Sequence, residues 1–138
     1  DKSNPMRVKR AWEVFKSTGR GLNSWHNATP KPTLELNKCK AILVDGEVSL
    51  INNRINKRFD QMIEKGLIQE AKNNLATWNT SHPSSKAIGA QQLIAYLNNE
   101  ISMKQLREQI VTSTRQYAKR QRTWFRNKMK SWERHIIN

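Results

Sequence analysis

Cysteine occurs once in this sequence, at Cys39, so no disulfide can form within the chain. That thiol opens the apolar run 39–44, which predicts a buried structural side chain in a reducing, cytoplasmic compartment. Acidic residues are scarce: 11 Asp and Glu face 25 Lys and Arg, a net charge of +14 over 138 residues. A polyanionic partner follows, and because no segment is apolar enough to enter a bilayer, nucleic acid is expected ahead of an acidic membrane. The three histidines, His26, His82 and His135, are scattered with no cysteine or carboxylate at ligand spacing, which argues against a zinc site. There is no Gly-x-x-x-x-Gly-Lys-[Ser/Thr], and Gly19-Arg20-Gly21 lacks the lysine and the helix start that a phosphate cradle needs. No Ser/His/Asp or Cys/His set and no catalytically spaced carboxylate pair is evident. No signal peptide, internal repeat or low-complexity tract is visible either. The length suits one domain with a modest core, and a chain that begins at Asp1 is expected to be a fragment or a processed product.

What is present is organised around one long helix, expected over 102–132, with Ser102 as N-cap and Gln105 at the capping-box spacing. On a helical wheel Met103, Leu106, Ile110, Tyr117 and Trp124 share one face, and Arg115, Lys119, Arg122 and Arg126 share the other. The second set stacks like charges about 5–6 Å apart, an arrangement that repels itself unless an anion lies across it. Residues 112–126 hold five Lys or Arg and no Asp or Glu, whereas a merely solvated helix mixes signs to gain i,i+4 pairs. Arg120 falls beside the apolar face, where a charge needs a partner.

Before this helix, Asn4-Pro5 and Gly19 predict a helix over 5–18, apolar along Val8, Ala11, Trp12 and Phe15 and basic at Arg7, Lys9, Arg10 and Lys16. Residues 19–38 read as a long irregular connection in which Trp25 and His26 serve either packing or contact. The run 39–44 reads as a strand ending at the turn Asp45-Gly46. One strand cannot satisfy its own backbone, so its sheet is expected from outside this chain. Further helices are expected over 51–65, with Ile51, Ile55, Phe59, Met62 and Ile63 inward; over 67–78; and over 86–98, burying Ile88, Leu93 and Leu97. The fold class is thus mainly α, a helical bundle with one isolated strand. On the residues alone the reading stops at an RNA- or DNA-binding helical module.

Four stretches, NPMRVKRAWEVFKSTG (4–19), NRINKRFDQMIEKG (53–66), KAIGAQQLIAYL (86–97) and TRQYAKRQRTWFR (114–126), resemble in sequence and order the tRNA dimethylallyltransferases, also called tRNA isopentenylpyrophosphate transferases. They span most of the chain, and the last is the most specific. The resemblance implies an enzyme that moves a dimethylallyl group from its diphosphate to the exocyclic amine of the adenosine 3′ of the anticodon, with Mg²⁺ assisting departure of diphosphate. It also implies that the P-loop and the general-base aspartate lie in an N-terminal part not contained in this sequence. The chain would then be a single C-terminal helical portion, 1–138, without catalytic residues or metal ligands of its own. Its strand would join the parallel sheet of an α/β P-loop-type core, and the full-length enzyme would be monomeric. By the same resemblance Arg58 lies close to the diphosphate. The tRNA anticodon stem-loop is contacted by Met6, Arg7, Val8, Lys9 and Arg10; by Lys86, Ala87, Ile88, Gly89, Ala90 and Gln91; and by Lys119, Arg120, Gln121, Arg122, Thr123, Trp124, Phe125 and Arg126.

The sequence departs from the family's usual Arg-Ala-[Ile/Val]-Gly-Tyr-Arg at residues 86–91, where it reads Lys-Ala-Ile-Gly-Ala-Gln, and carries Tyr117 in place of an aliphatic residue. Gly89 is retained, for close helix packing or for approach of RNA to the backbone. The alternative to a partial transferase is a free-standing, non-enzymatic basic module that binds nucleic acid. A strand paired with a sheet outside this chain favours the first; a strand paired internally favours the second.

Overall fold

In the computed structural model, which describes residues 3–137, the first helix, α1 (Pro5–Thr18), starts where Asn4 Oδ1 accepts from the Met6 and Arg7 amides at 3.1 and 3.2 Å. It stops at Gly19, whose φ of 67° is open to glycine at little cost. No residue of α1 is buried, and its apolar side, including Trp12 and Phe15, stands exposed. The expected irregular connection contains a short helix, α2 (Leu22–Asn27), and a 3₁₀ turn over Leu36–Lys38. Six residues are too few to show a helical period, so α2 leaves no pattern to read. Cys39 is exposed rather than buried, because the strand begins beyond it.

The chain falls into two units, residues 1–40 and residues 41–138. The second contains β1 (Ile42–Gly46), α3 (Val48–Glu64), α4 (Leu67–Asn74), α5 (Ala90–Leu97), α6 (Met103–Lys128) and β2 (Glu133–Ile137), with 3₁₀ turns over Leu75–Thr77 and Pro83–Lys86. The strand expected to be isolated is paired. β1 lies parallel to β2, from Ile42 opposite Glu133 to Gly46 opposite Ile137. The short run ending in Ile136 and Ile137 follows a basic helix and alternates too little to announce a strand. Of β1, only Leu43 is buried; Ile42, Val44 and Ile136 are exposed.

The core of this unit lies among the helices: Phe59 of α3, Leu93 of α5, and Leu106, Ile110 and Val111 of α6, flanked by Ile55, Met62, Ile63, Leu67, Ile68, Ala71, Tyr96 and Ile101. Leu106 is wholly enclosed. The expected inward face of α6 therefore holds only at Leu106 and Ile110: Met103, Tyr117 and Trp124 are exposed, while past Thr114 the half-buried positions are Ala118, Arg122 and Phe125. The capping box is present, Gln105 Oε1 accepting from the Ser102 amide at 2.8 Å and Ser102 Oγ from the Gln105 amide at 3.3 Å. α6 ends at Lys128 rather than near Trp132.

Two side-chain pairs fix α3 antiparallel to α6. Arg107 donates to both Asp60 oxygens at 3.1 and 3.0 Å, and Arg115 donates to Asn56 Oδ1 at 3.2 Å. The hydrogen bond donated to Asp60 raises the Arg107 pKa above its ordinary value despite some desolvation. Both side chains are partly exposed, so the pair is worth about 0.2–1 kcal/mol and sets rotation more than stability.

The expected helix over 86–98 begins only at Ala90. Residues 86–89 form its approach: Ser85 is buried, its hydroxyl 2.7 Å from the Thr80 and His82 carbonyls, and Ile88 is exposed instead of inward. Gly89 caps α5 at φ 93°, and a Cβ there would meet Ile110 Cδ1 at 3.1 Å. Gly66, before α4, has a similar φ of 96° with open space around it. Gly66→Ala should therefore cost only the left-handed backbone strain of about 1–2 kcal/mol. Gly89→Ala should cost that plus about 1–3 kcal/mol of overpacking against Ile110. Urea unfolding of the two variants measures the difference, and equal midpoints would refute the close packing.

Candidate nucleic-acid interface

The cationic stripe read from the sequence divides in two. Arg115 is engaged with Asn56 at the α3 contact, whereas Lys119 and Arg126 are exposed and Arg122 is half-buried beyond it. Among the described residues no carboxylate pairs with Lys119, Arg122 or Arg126. Arg120 is exposed rather than wedged at a core edge, its guanidinium 5.7 Å from the centre of the Tyr117 ring, a cation–π contact that supplies the partner its position required. Trp124 and Phe125 meet edge to face at 5.5 Å. Gln121 and Thr123 complete this exposed segment, Thr123 Oγ1 donating to the Lys119 carbonyl at 3.1 Å. Unpaired cations interleaved with exposed rings can neutralise phosphates and stack unpaired bases.

The segment 86–91 sits against the middle of α6. Gly89 rests on Ile110, and Lys86, Ala87, Ile88 and Gln91 are exposed. Ile88 and Ala90 line a mostly apolar groove of about 430 Å³ between α4 and α5, to which Trp78 also contributes. At 1.5 Å per residue, Lys119 to Arg126 lie about 14–24 Å along the α6 axis from Ile110, so the two segments occupy different stations on one rod.

Arg58 lies on α3 next to the buried Phe59, and it is exposed rather than set among apolar neighbours. Asn56 and Asp60, two residues to either side, face α6; a residue between them on a 3.6-residue helix points to the opposite flank. Arg58 is thus not brought onto the edge shared by Arg107 and Arg115. Among the described residues no three His, Cys, Asp or Glu gather to hold a metal. Nor is any described helix long and apolar enough to cross a membrane.

In the first unit, Met6, Arg7, Val8, Lys9 and Arg10 form the exposed opening turns of α1. Lys9 and Arg10 share Glu13 at 4.0 and 3.8 Å, long contacts between solvated side chains that an RNA phosphate would replace readily. Sequence reasoning left His26 as either packing or contact and passed over Leu22 and Asn23; all three belong to α2 and line a groove with Arg7, Val8 and Arg10.

A family model described as IPP transferase matches residues 1–128. The tRNA dimethylallyltransferase of Roseobacter denitrificans is 47% identical over 136 residues, covering 99% of this chain and 49% of that protein. Its counterpart in Ruegeria sp. is 45% identical, covering 97% and 46%. Among solved structures, the tRNA delta(2)-isopentenylpyrophosphate transferase of Staphylococcus epidermidis superposes with a TM-score of 0.64 at 31% identity, covering 100% of this chain and 44% of that one. The full-length tRNA isopentenylpyrophosphate transferase of Bacillus halodurans gives 0.64 at 32% identity, covering 99% and 40%. This chain spans about half the length of the curated relatives it matches. The resemblance carried by the four motifs is thereby borne out, and with it the mainly helical fold: the chain belongs to the IPP transferase family.

Proposed function

We propose that this chain is the tRNA-binding and donor-contacting portion of an enzyme that transfers a dimethylallyl group from dimethylallyl diphosphate to the exocyclic amine of the adenosine 3′ of the anticodon. The observation that carries the reading is the second half of α6, which leaves the core and presents Lys119, Arg120, Arg126 and the Trp124 ring to solvent. Family membership supplies the chemistry, because the relatives are named for it. An exocyclic amine is a weak nucleophile, its lone pair delocalised into the ring. Transfer therefore needs a base, charge stabilisation on the departing diphosphate, and an adenosine held out of its stack. The exposed cations of α1 and α6 suit the holding, and Arg58, whose guanidinium matches phosphate oxygens with parallel donors, suits the diphosphate. On this reading the P-loop, the base and the ligands of Mg²⁺ belong to the enzyme's other part.

Internal pairing of β1 with β2 favours the alternative, a basic binding module that performs no chemistry. It does not decide the matter: a two-stranded sheet with Ile42, Val44 and Ile136 exposed is marginal in water, and each strand retains an edge for further pairing. Family membership outweighs it.

Incubated with dimethylallyl diphosphate, Mg²⁺ and unmodified tRNA, the 138-residue chain should give no prenylated product, since it holds neither phosphate cradle nor base. Product above a no-protein control would mean that catalytic residues lie within it. In the full-length enzyme Arg58→Ala should raise the donor KM or lower kcat while leaving tRNA affinity within about twofold, an exposed side chain costing the fold about 0.5 kcal/mol or less. Normal turnover at limiting and saturating donor would return Arg58 to a surface charge.

Replacing Lys119, Arg122 and Arg126 together by Gln keeps helix propensity and leaves Leu106, Ile110 and Val111 untouched. Anticodon stem-loop affinity should fall, and the slope of log affinity against log salt should become shallower by about 2, at roughly 0.7 counterion per lost phosphate contact. Unchanged affinity and slope would leave α6 a solvated face.

A further inference from the structure

Thr18, Arg20, Ser24 and Trp25 build an elbow between α1 and α2. The Thr18 hydroxyl donates to the Val14 carbonyl at 2.7 Å and accepts from the Arg20 amide and from Trp25 Nε1, both at 3.2 Å. The Arg20 guanidinium stacks 4.3 Å from the centre of the Trp25 ring and reaches Ser24 Oγ at 3.2 Å. An exposed six-residue helix has little reason to hold a fixed pose by itself. Here a ring contact and four side-chain hydrogen bonds turn Trp25 toward the end of α1. Helical phase then sets Leu22 beside Trp25 and turns Asn23 and His26 away from it.

Leu22, Asn23 and His26 line, with α1, an open groove of about 740 Å³, within the range of about 300–1,000 Å³ typical of small-molecule sites. Its chemistry is sorted by position. Arg7 and Arg10 lie one helical turn apart on one wall, Val8 and Leu22 are apolar, and Asn23 and His26 bring polar atoms from the opposite wall. The two guanidiniums select an anion with branched oxygens, the apolar stretch a flat hydrophobic surface, and the amide and imidazole a hydrogen-bonding edge. A duplex offers phosphates, 2′-hydroxyls and base edges but keeps the flat faces of its bases stacked inside, so the part of an RNA that answers all three features is an unpaired nucleotide.

We propose that the α1–α2 groove is a nucleotide subsite that takes one unpaired nucleotide of the RNA, its phosphate on Arg7 and Arg10, its base on Val8 and Leu22, and its polar edge or ribose on Asn23 and His26. The assignment rests on the tRNA-binding reading above and adds α2, which no motif of the family resemblance includes. The elbow is the positioning device: Thr18 touches no nucleotide, yet it fixes where Asn23 and His26 stand.

The test uses the full-length enzyme and a fluorescent anticodon stem-loop, with the Lys119, Arg122 and Arg126 triple Gln variant measured alongside. Asn23 and His26 are exposed, so their alanine variants should fold. The double variant Asn23→Ala with His26→Ala should weaken binding about threefold to tenfold, the worth of one or two hydrogen bonds, with the salt slope unchanged because no phosphate contact is lost. A duplex of the same stem without its loop should bind both proteins equally. Thr18→Val should reproduce the loss for the loop-bearing RNA, while Ser17→Ala, next to it on α1, should not. Loop nucleotides carrying 4-thiouridine should cross-link to α2. If the double variant binds the stem-loop as the wild type does while the triple variant weakens, the subsite is overturned and the tRNA reading stands; if neither weakens, both fail. A shallower salt slope for the double variant, equal weakening toward the loopless duplex, or cross-links confined to other segments would also overturn the subsite.

Discussion

The contact of Leu106, Ile110 and Val111 with Phe59 and Leu93 is the one on which the helical unit depends. It occupies only the first third of a 26-residue helix. Beyond Thr114 the same helix continues with little apolar burial, carrying a run of like charges that an isolated peptide would not keep helical. Propagation is cheap once a helix is nucleated, and the buried turns supply that nucleus permanently. The outer half of α6, half-buried only at Ala118, Arg122 and Phe125, is therefore ordered chiefly from its enclosed end.

Its rotation is fixed as well as its direction. Asp60 and Asn56 hold Arg107 and Arg115 two turns apart on α6, so turning the helix would break both pairs together. These contacts are solvated and individually weak. Their value is geometric: they decide that the Lys119 and Arg126 side chains leave the helix on one face and Tyr117 and Trp124 on another. Gly89 adds a third constraint, because only a residue without a Cβ lets α5 begin so close to Ile110.

Much of this was legible in the residues. Asn4-Pro5 and Gly19 bounded α1, the Ser102 and Gln105 pair marked the start of α6, and Ile55, Phe59, Met62 and Ile63 gave the inner face of α3, since each obeys a local rule that tertiary structure did not override. The misreadings share one cause. Helical periodicity records amphipathic character, and Tyr117, Trp124 and Ile88 are amphipathic positions with nothing in their own unit to cover them. Partnership between distant segments has no local signature at all, which is why β1 read as isolated and Cys39 as enclosed. The groove along α2 was invisible for a related reason, as it depends on an indole and a guanidinium folding back on a hydroxyl seven residues before the ring.

The parallel pairing of β1 with β2 has a temporal consequence. Ile42 and Glu133 stand roughly ninety residues apart in sequence, and the four helices between them close locally and early, whereas pairings of such separation form late. During synthesis, at about 5–20 residues per second, β1 waits for several seconds with both edges open before β2 is made. The ladder between β1 and β2 is therefore the last contact of this unit to close.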